Sequence, residues 1–274
     1  STSEVFSQRD STFTTPLGRT YEIPAPSEKL LAQYEEAKTA YEANPEDVEA
    51  LIWYGRRTAY LGQYRQAIDI YTKGLEKFPN EPRLYRHRGH RYLSIREYDK
   101  AIADFEKAAE LIQGSADEIE PDGMPNPIGL TISTYRGNIV YYHAQTSFAT
   151  GDYPTMVTGM AKSLELSADF ARDDMRVPTA YWTYIAYRKM GEHAKARALV
   201  DMLAQKADFG IYGSNAARVG ELFKRFEQLD IELGIQRPDA TDQARQALRN
   251  QWAQTMAELR DLAPQLASLL APQA

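Results

Sequence analysis

The chain has 274 residues, 43% of them hydrophobic and 26% charged, the make-up of a folded protein with enough apolar surface to build a core. A net charge of −6 excludes a generally basic, nucleic-acid-coating surface. The absence of cysteine excludes disulfides, zinc–thiolate sites and a cysteine nucleophile, and no apolar run approaches the roughly 18 residues of a membrane-spanning helix.

Residues 1–26 are rich in Ser, Thr and Pro and read as an extended N-terminal segment. They start at Ser1 with no Met and no signal peptide, as a processed or trimmed form would. No strand pattern stands out anywhere in the chain. Leu30 to Ala43, closed by Asn44-Pro45, has the character of the second helix of an incomplete repeat. Then a strong internal repeat begins. Tyr64 and Tyr98 lie 34 residues apart, as do Ala67 and Ala101, Ile68 and Ile102, Tyr71 and Phe105, and Gly55 and Gly89. The small residues allow two antiparallel helices to approach closely, and the large ones fill the space between hairpins, which must stack to bury their apolar faces.

After the second copy comes "DEIEPDGMPNPIGLTISTYRG", Asp117 to Gly137, with four acids, three prolines and three glycines. The next repeat mark, Gly151-Asp-Tyr153 with Met156 and Met160, arrives 55 residues after its predecessor, so this stretch is a 21-residue insertion into the 34-residue period. Its prolines exclude helix, and Asp122-Gly123 favours a tight turn. Ile119, Met124, Ile128, Leu130 and Ile132 favour an ordered loop, either a lid on a binding surface or a strut. Gly191-Glu-His193 with Ala196 and Val200 repeats the mark again 40 residues on. These give hairpins at about 137–170 and 177–210, with His193 at the Tyr64/Tyr98 packing position and Met156, Met160 and Met175 as core filler. Helical periodicity continues at 214–232 and 240–270, where Leu248, Trp252, Met256, Leu259, Leu262 and Leu266 recur at spacings of three or four.

The 34-residue period with its Gly, Tyr, Ala and aromatic spacing resembles the tetratricopeptide repeat. The resemblance covers about residues 45–210. It implies an all-α fold: a right-handed α-solenoid of about four hairpins, with an N-terminal half-repeat and C-terminal capping helices. The domains expected are the extended segment 1–26, a solenoid over 27–234 with its insertion at about 116–136, and a C-terminal capping helix over 235–274. The runs "GRRTAYLGQY", "RHRGHRYL", "EIEPDGMPNP" and "AYWTYIAYRKMGE" are similar to bacterial proteins of this family, often exported or lipid-anchored, that lack an assigned activity. That narrower resemblance implies an envelope or periplasmic location and no enzyme.

In the family the first helix of each hairpin lines a concave groove. Carried over residue by residue, the groove positions are Glu49, Ile52, Arg56 and Tyr60; Arg83, Arg86, His90 and Ser94; Asn138, Tyr141, Gln145 and Phe148; and Tyr181, Ile185, Arg188 and Lys189. Arg56, Tyr60, Arg83, Arg86, His90, Tyr141, Gln145, Tyr181 and Arg188 form the candidate ligand-binding set. The function implied is a non-enzymatic scaffold that takes a peptide or protein partner, with an acidic one favoured by the arginines. Ile52 and Arg56 depart from the Lys-Asn carboxylate clamp of the chaperone-binding members. Arg83, Arg86, Arg88 and Arg91 crowd one helix with His87 and His90, which costs a few tenths of a kcal/mol per like-charge pair unless acids answer it. Glu and Asp on neighbouring helices, or the acids of the insertion, could supply that answer, so groove binding and structural pairing both stay open.

Other chemistry has weaker support. His87-x-x-His90 lacks the Glu and third ligand of a zinc protease signature. The insertion fails the EF-hand pattern, with Ile119 and Pro121 where oxygen ligands belong, although Glu118, Glu120 and Asp122 leave a non-standard carboxylate site open. No phosphate-binding loop or nucleophile elbow is present, and no cofactor or metal is expected. Two alternatives remain: a metal-dependent enzyme built on the 117–137 loop, and a solenoid that self-assembles through its C-terminal helix.

Overall fold

The computed structural model describes residues 12–14, 18, 20–22, 25–124, 131, 133–167, 172–204 and 254. Two short strands come first, β1 (Thr12–Thr14) and β2 (Thr20–Glu22), antiparallel with Thr12 opposite Glu22, Phe13 opposite Tyr21 and Thr14 opposite Thr20. The sequence reading found no strand here. Three-residue strands are too short for alternation to register, yet both are built from β-branched and aromatic residues. Gly18, at φ +80°, supplies a left-handed residue between them.

Apart from single bridge residues at Ile119 and Thr134, the other described elements are helices: α1 (Glu28–Ala43), α2 (Val48–Tyr60), α3 (Tyr64–Lys77), α4 (Pro82–Ser94), α5 (Tyr98–Leu111), α6 (Tyr135–Ala149), α7 (Tyr153–Glu165), α8 (Arg172–Lys189) and α9 (His193–Ala204). The helix starts are written locally. Ser27 Oγ accepts from the Leu30 amide at the head of α1, and Asp47 Oδ1 accepts from Glu49 and Ala50 at the head of α2. Glu81 caps α4 with Pro82 in its first turn, and Asp152 Oδ1 accepts from Thr155 at the head of α7. The chain divides into two compact units: Ser1–Met124 with Asn138–Thr150, and Pro125–Gly137 with Gly151–Ala274.

In the first unit, α2–α3 and α4–α5 are helical hairpins in the 34-residue register. Their close approach depends on glycine. A Cβ on Gly55 would overlap the Tyr71 ring, and one on Gly89 would come within 3.0 Å of Phe105 and 3.2 Å of the Asp104 Cβ. Tyr71 and Phe105 are each 1% exposed. Around the first ring pack Leu51, Ile52, Ala67, Leu75 and Leu84; around the second, Ala101, Ala108 and Ile139. The corresponding position pairs further along are Ala144 with Met160 and Tyr184 with Val200, every member of which is buried.

The turns inside the hairpins share one left-handed residue two positions before the second helix: Gly62 (φ 81°), Arg96 (φ 63°), Gly151 (φ 87°) and Gly191 (φ 78°). Tyr64, Tyr98, Tyr153 and His193 therefore open α3, α5, α7 and α9. His193 is exposed, as Tyr64 at the same register position also is, so this position does not have the packing role expected of it.

In the second unit, Met156, Met160 and Met175 are buried, as their reading as core filler anticipated. Ser163 Oγ donates to the Gly137 carbonyl, and the Gly137 amide donates to Thr134 Oγ1. Helix α8 starts at Arg172, earlier than the 177 expected from the repeat mark, and Pro178 lies inside it. Proline inside a helix removes one amide donor. Here Thr179 Oγ1 donates back to the Met175 and Arg176 carbonyls, and Thr183 Oγ1 donates to that of Thr179. Two helical segments expected at 214–232 and 240–270 lie outside the described residues. Among the described residues no helix is long and apolar enough to cross a membrane.

Gly55→Ala drives a methyl into the Tyr71 ring and should lower unfolding stability by about 1–3 kcal/mol. Adding Tyr71→Met, which replaces the ring by a slimmer and more flexible side chain, should restore part of that loss in urea melts. Arg96 is the one non-glycine residue with positive φ among the described residues. Arg96→Gly should therefore stabilise by about 0.5–1 kcal/mol, read as a raised melting temperature.

Candidate functional site

The insertion supplies the centre of the site. Helix α5 ends at Leu111, and the chain then runs exposed from Gln113 to Ile119. From Ser115 to Met124 only Glu120 and Gly123 are buried. Both lie against the first helices of the first two hairpins, α2 and α4.

The Glu120 carboxylate is 5% exposed and sits beside two buried arginines. Oε2 is 2.9 Å from Arg86 Nε, Oε1 is 4.0 Å from Arg56 Nη2, and Asn138 Nδ2 donates to Oε2 at 2.8 Å. The backbone that follows is held by donors from α2. Arg56 Nη2 donates to the Pro121 carbonyl at 2.7 Å, and Arg57 Nη1 donates to the Gly123 carbonyl at 2.9 Å and to Gln33 Oε1 at 3.1 Å. Gly123 is in tight contact with α2: a Cβ there would overlap Tyr60 Oη and lie 2.8 Å from Arg56 Nη2. Asp122 Oδ1 accepts from the Met124 amide, closing the turn.

Aromatic rings support the guanidinium groups. Arg56 lies 4.3 Å from the Trp53 ring centroid, Arg57 lies 4.9 Å from the same ring, and Arg86 lies 4.8 Å from Tyr142. His90 stacks on Tyr142 at 4.0 Å, and His87 stacks on Tyr71 at 5.9 Å. Arg86 Nη1 is 3.2 Å from His87 Nδ1 and 3.3 Å from His90 Nδ1. Burial, then Arg86 and the other arginines, pushes the His87 pKa well below its ordinary value. Burial, then Arg91, Arg86 and Arg56, does the same to His90. Both rings are therefore neutral at physiological pH, which leaves them able to accept from Arg86. Burial works against the Arg56 charge, but Tyr60 and Glu120 outweigh it, and its pKa is raised.

The crowded arginines of α4 are thus answered by acids. Arg83 pairs with Glu81 at 2.7 Å and Glu49 at 2.8 Å. Arg88 makes two bonds of 2.8 Å to the buried Asp104 of α5. Arg91 lies over Tyr64, and burial lowers its pKa. Of the sequence-predicted set, Arg56, Tyr60, Arg86 and His90 come together around Glu120 and Gly123. Arg83 is tied into its own ion pairs. Tyr141 stands edge-on to Tyr142, and Gln145 is half-buried further along α6. Tyr181 and Arg188 belong to the second unit, where Tyr181 is buried edge-on to Trp182. Sequence reasoning missed Arg57, Trp53 and Tyr142, which fall outside the family's groove positions. Among the described residues no three His, Asp or Glu side chains gather as a metal-ligand set.

No family profile matches the chain. Solved structures with a similar arrangement of helices include YrrB, described as a TPR protein with an unusual peptide-binding site, at 16% identity over 86% of this chain and 98% of that one, TM-score 0.48. MamA matches at 14% identity over 75% and 98%, TM-score 0.47, and the Cut9–Hcn1 heterotetramer of the APC/C at 15% over 89% and 45%, TM-score 0.36. The 34-residue register, the helical hairpins that carry it and their glycine–ring contacts define the class: a helical-repeat fold of the kind the tetratricopeptide-repeat resemblance implies.

Because the unfolded chain protonates its histidines near pH 6.5 and the fold holds His87 and His90 neutral, the unfolded state gains protons first as pH falls. Stability should therefore drop from pH 7.5 towards about pH 5.5, by up to about 1.4 kcal/mol per pH unit for each histidine. Thermal melts across that range should show a shallower pH dependence for the double variant His87→Gln, His90→Gln.

Proposed function

We propose that this protein is a non-enzymatic scaffold that binds an acidic, extended segment of a peptide or protein partner in the groove formed by the first helices of its repeats. The observation that supports this reading is the seating of Glu120-Pro121-Asp122-Gly123 on α2 and α4. A carboxylate is paired with the charges of Arg86 and Arg56 and hydrogen-bonded by Asn138, and two main-chain carbonyls accept from Arg56 and Arg57. The donors that serve this stretch suit any strand with an acid followed by accessible carbonyls, because the carbonyl contacts are independent of side-chain identity. Charge-assisted bonds of this kind are the strong ones, and the aromatic supports fix the guanidinium planes in advance.

Fluorescence anisotropy with a labelled acidic peptide and its Gln/Asn counterpart tests the reading. The acidic peptide should bind the wild-type chain, more weakly as salt rises, while its neutral counterpart does not. Arg57→Gln, which removes a donor on the half-buried rim, should weaken binding about tenfold. Equal binding of the two peptides, or an Arg57→Gln variant with unchanged affinity, contradicts the proposal.

A further inference from the structure

We infer that the segment Glu120–Gly123 is an internal ligand: it occupies the partner site in the resting protein, and the partner is an acidic segment of the same chemistry, Glu-Pro-x-Gly, that displaces it. This rests on the groove-binding reading above and adds to it the motif and the regulation.

Three observations carry the inference. The first is the pattern of anchoring. A strut is held by the apolar side chains it buries, but here the apolar neighbours face outward, Ile119 at 47% and Met124 at 59% exposure. On α2 and α4 the stretch is held through the Glu120 carboxylate, the Pro121 and Gly123 carbonyls and the buried Gly123, the kind of contact by which receptors hold short linear motifs. The second is the origin of the contacts. The hydrogen bonds and ion pairs between the receiving helices and residues 120–123 come from side chains of α2, α4 and α6, while the backbone bridge of the loop lies outside them, at Ile119. A second strand can therefore take over the same donors one for one. The third is the glycine. A Cβ at position 123 would meet Tyr60 Oη and Arg56 Nη2, so both side-chain ends would have to shift to admit one. The same contacts favour glycine in a segment that replaces the loop, three residues after its acid.

The groups around Glu120 also favour exchange. Arg56 and Arg86 are each buried beneath the loop, and water would reach them when it lifts away. A charged pair opened to solvent costs far less than one broken inside a core. A site occupied internally lowers the apparent affinity for an external ligand by the fraction of time it is open.

The test uses a synthetic peptide with the sequence of Ser115–Met124, titrated against the full chain and against its Glu120→Gln variant, with circular dichroism confirming that the variant is folded. The inference expects the variant to bind at least about tenfold more tightly than wild type. It also expects the peptide to lose binding when it carries Glu120→Gln or Gly123→Val. Equal affinity for wild type and variant overturns the internal-ligand inference and leaves the groove reading standing. No binding to a folded variant overturns both. Should the variant not fold, hydrogen exchange on the wild-type chain decides. Faster exchange at residues 117–124 on saturation with the peptide supports the inference, and unchanged exchange there overturns it.

Discussion

The contact on which the first unit depends is an aromatic ring laid against a glycine. Tyr71 on Gly55 and Phe105 on Gly89 let the two helices of each hairpin approach to a distance that no side chain at the glycine would permit. That approach has consequences for charge. With the helices so close, the neighbouring polar positions are also buried, and Asp104, adjacent to Phe105, can reach Arg88 with both of its oxygens. Ring packing fixes the spacing, and the spacing decides which arginines of α4 find partners within the hairpin and which face the groove side.

Arg88 and Arg83 are satisfied by acids on α5, α2 and the start of α4 itself. Arg86 projects elsewhere and, together with Arg56, would be a buried cation without a carboxylate. Placing one there is expensive unless a counter-charge arrives with good hydrogen bonding. Neutral histidines on either side of Arg86 offer nitrogen acceptors but no charge. Glu120 supplies the charge, with Asn138 saturating one of its oxygens. The insertion is thus tied to the most charge-dense part of the repeat, and its place in the chain, directly after the second hairpin, brings its acid back over α4 and α2.

Much of the fold was legible because the repeat writes the same contact at fixed intervals. Gly55 and Gly89, and Tyr71 and Phe105, each carry a requirement that only a few residue types satisfy. The left-handed turn was harder to read, since Arg96 holds in one hairpin the conformation that glycine holds in the other three. The candidate site was half legible. Arg56, Tyr60, Arg86 and His90 follow from the register, because the register dictates which side of a helix faces inward. Glu120 does not, because it lies outside the repeat, and nothing in a loop sequence says which of four acids turns inward. Arg57 and Tyr142 were missed because their chemistry comes from reach and stacking, not from a position on the inward face.

The chemistry that made Glu120 hard to foresee also bears on what the loop can do. Glu118 and Asp122, its nearest acids, are exposed, and Asp122 is occupied in closing its own turn. Alternating burial along the stretch leaves one charged side chain and one glycine to determine the fit, so specificity is concentrated in two positions three residues apart. Such an arrangement discriminates by exclusion as much as by attraction. A neutral residue in place of Glu120 would strand two buried guanidinium groups, and any side chain in place of Gly123 would require the Tyr60 and Arg56 side-chain ends to shift. Recognition built on penalties of this kind rejects most sequences without binding the correct one very tightly, which suits a site whose first occupant is part of the same chain.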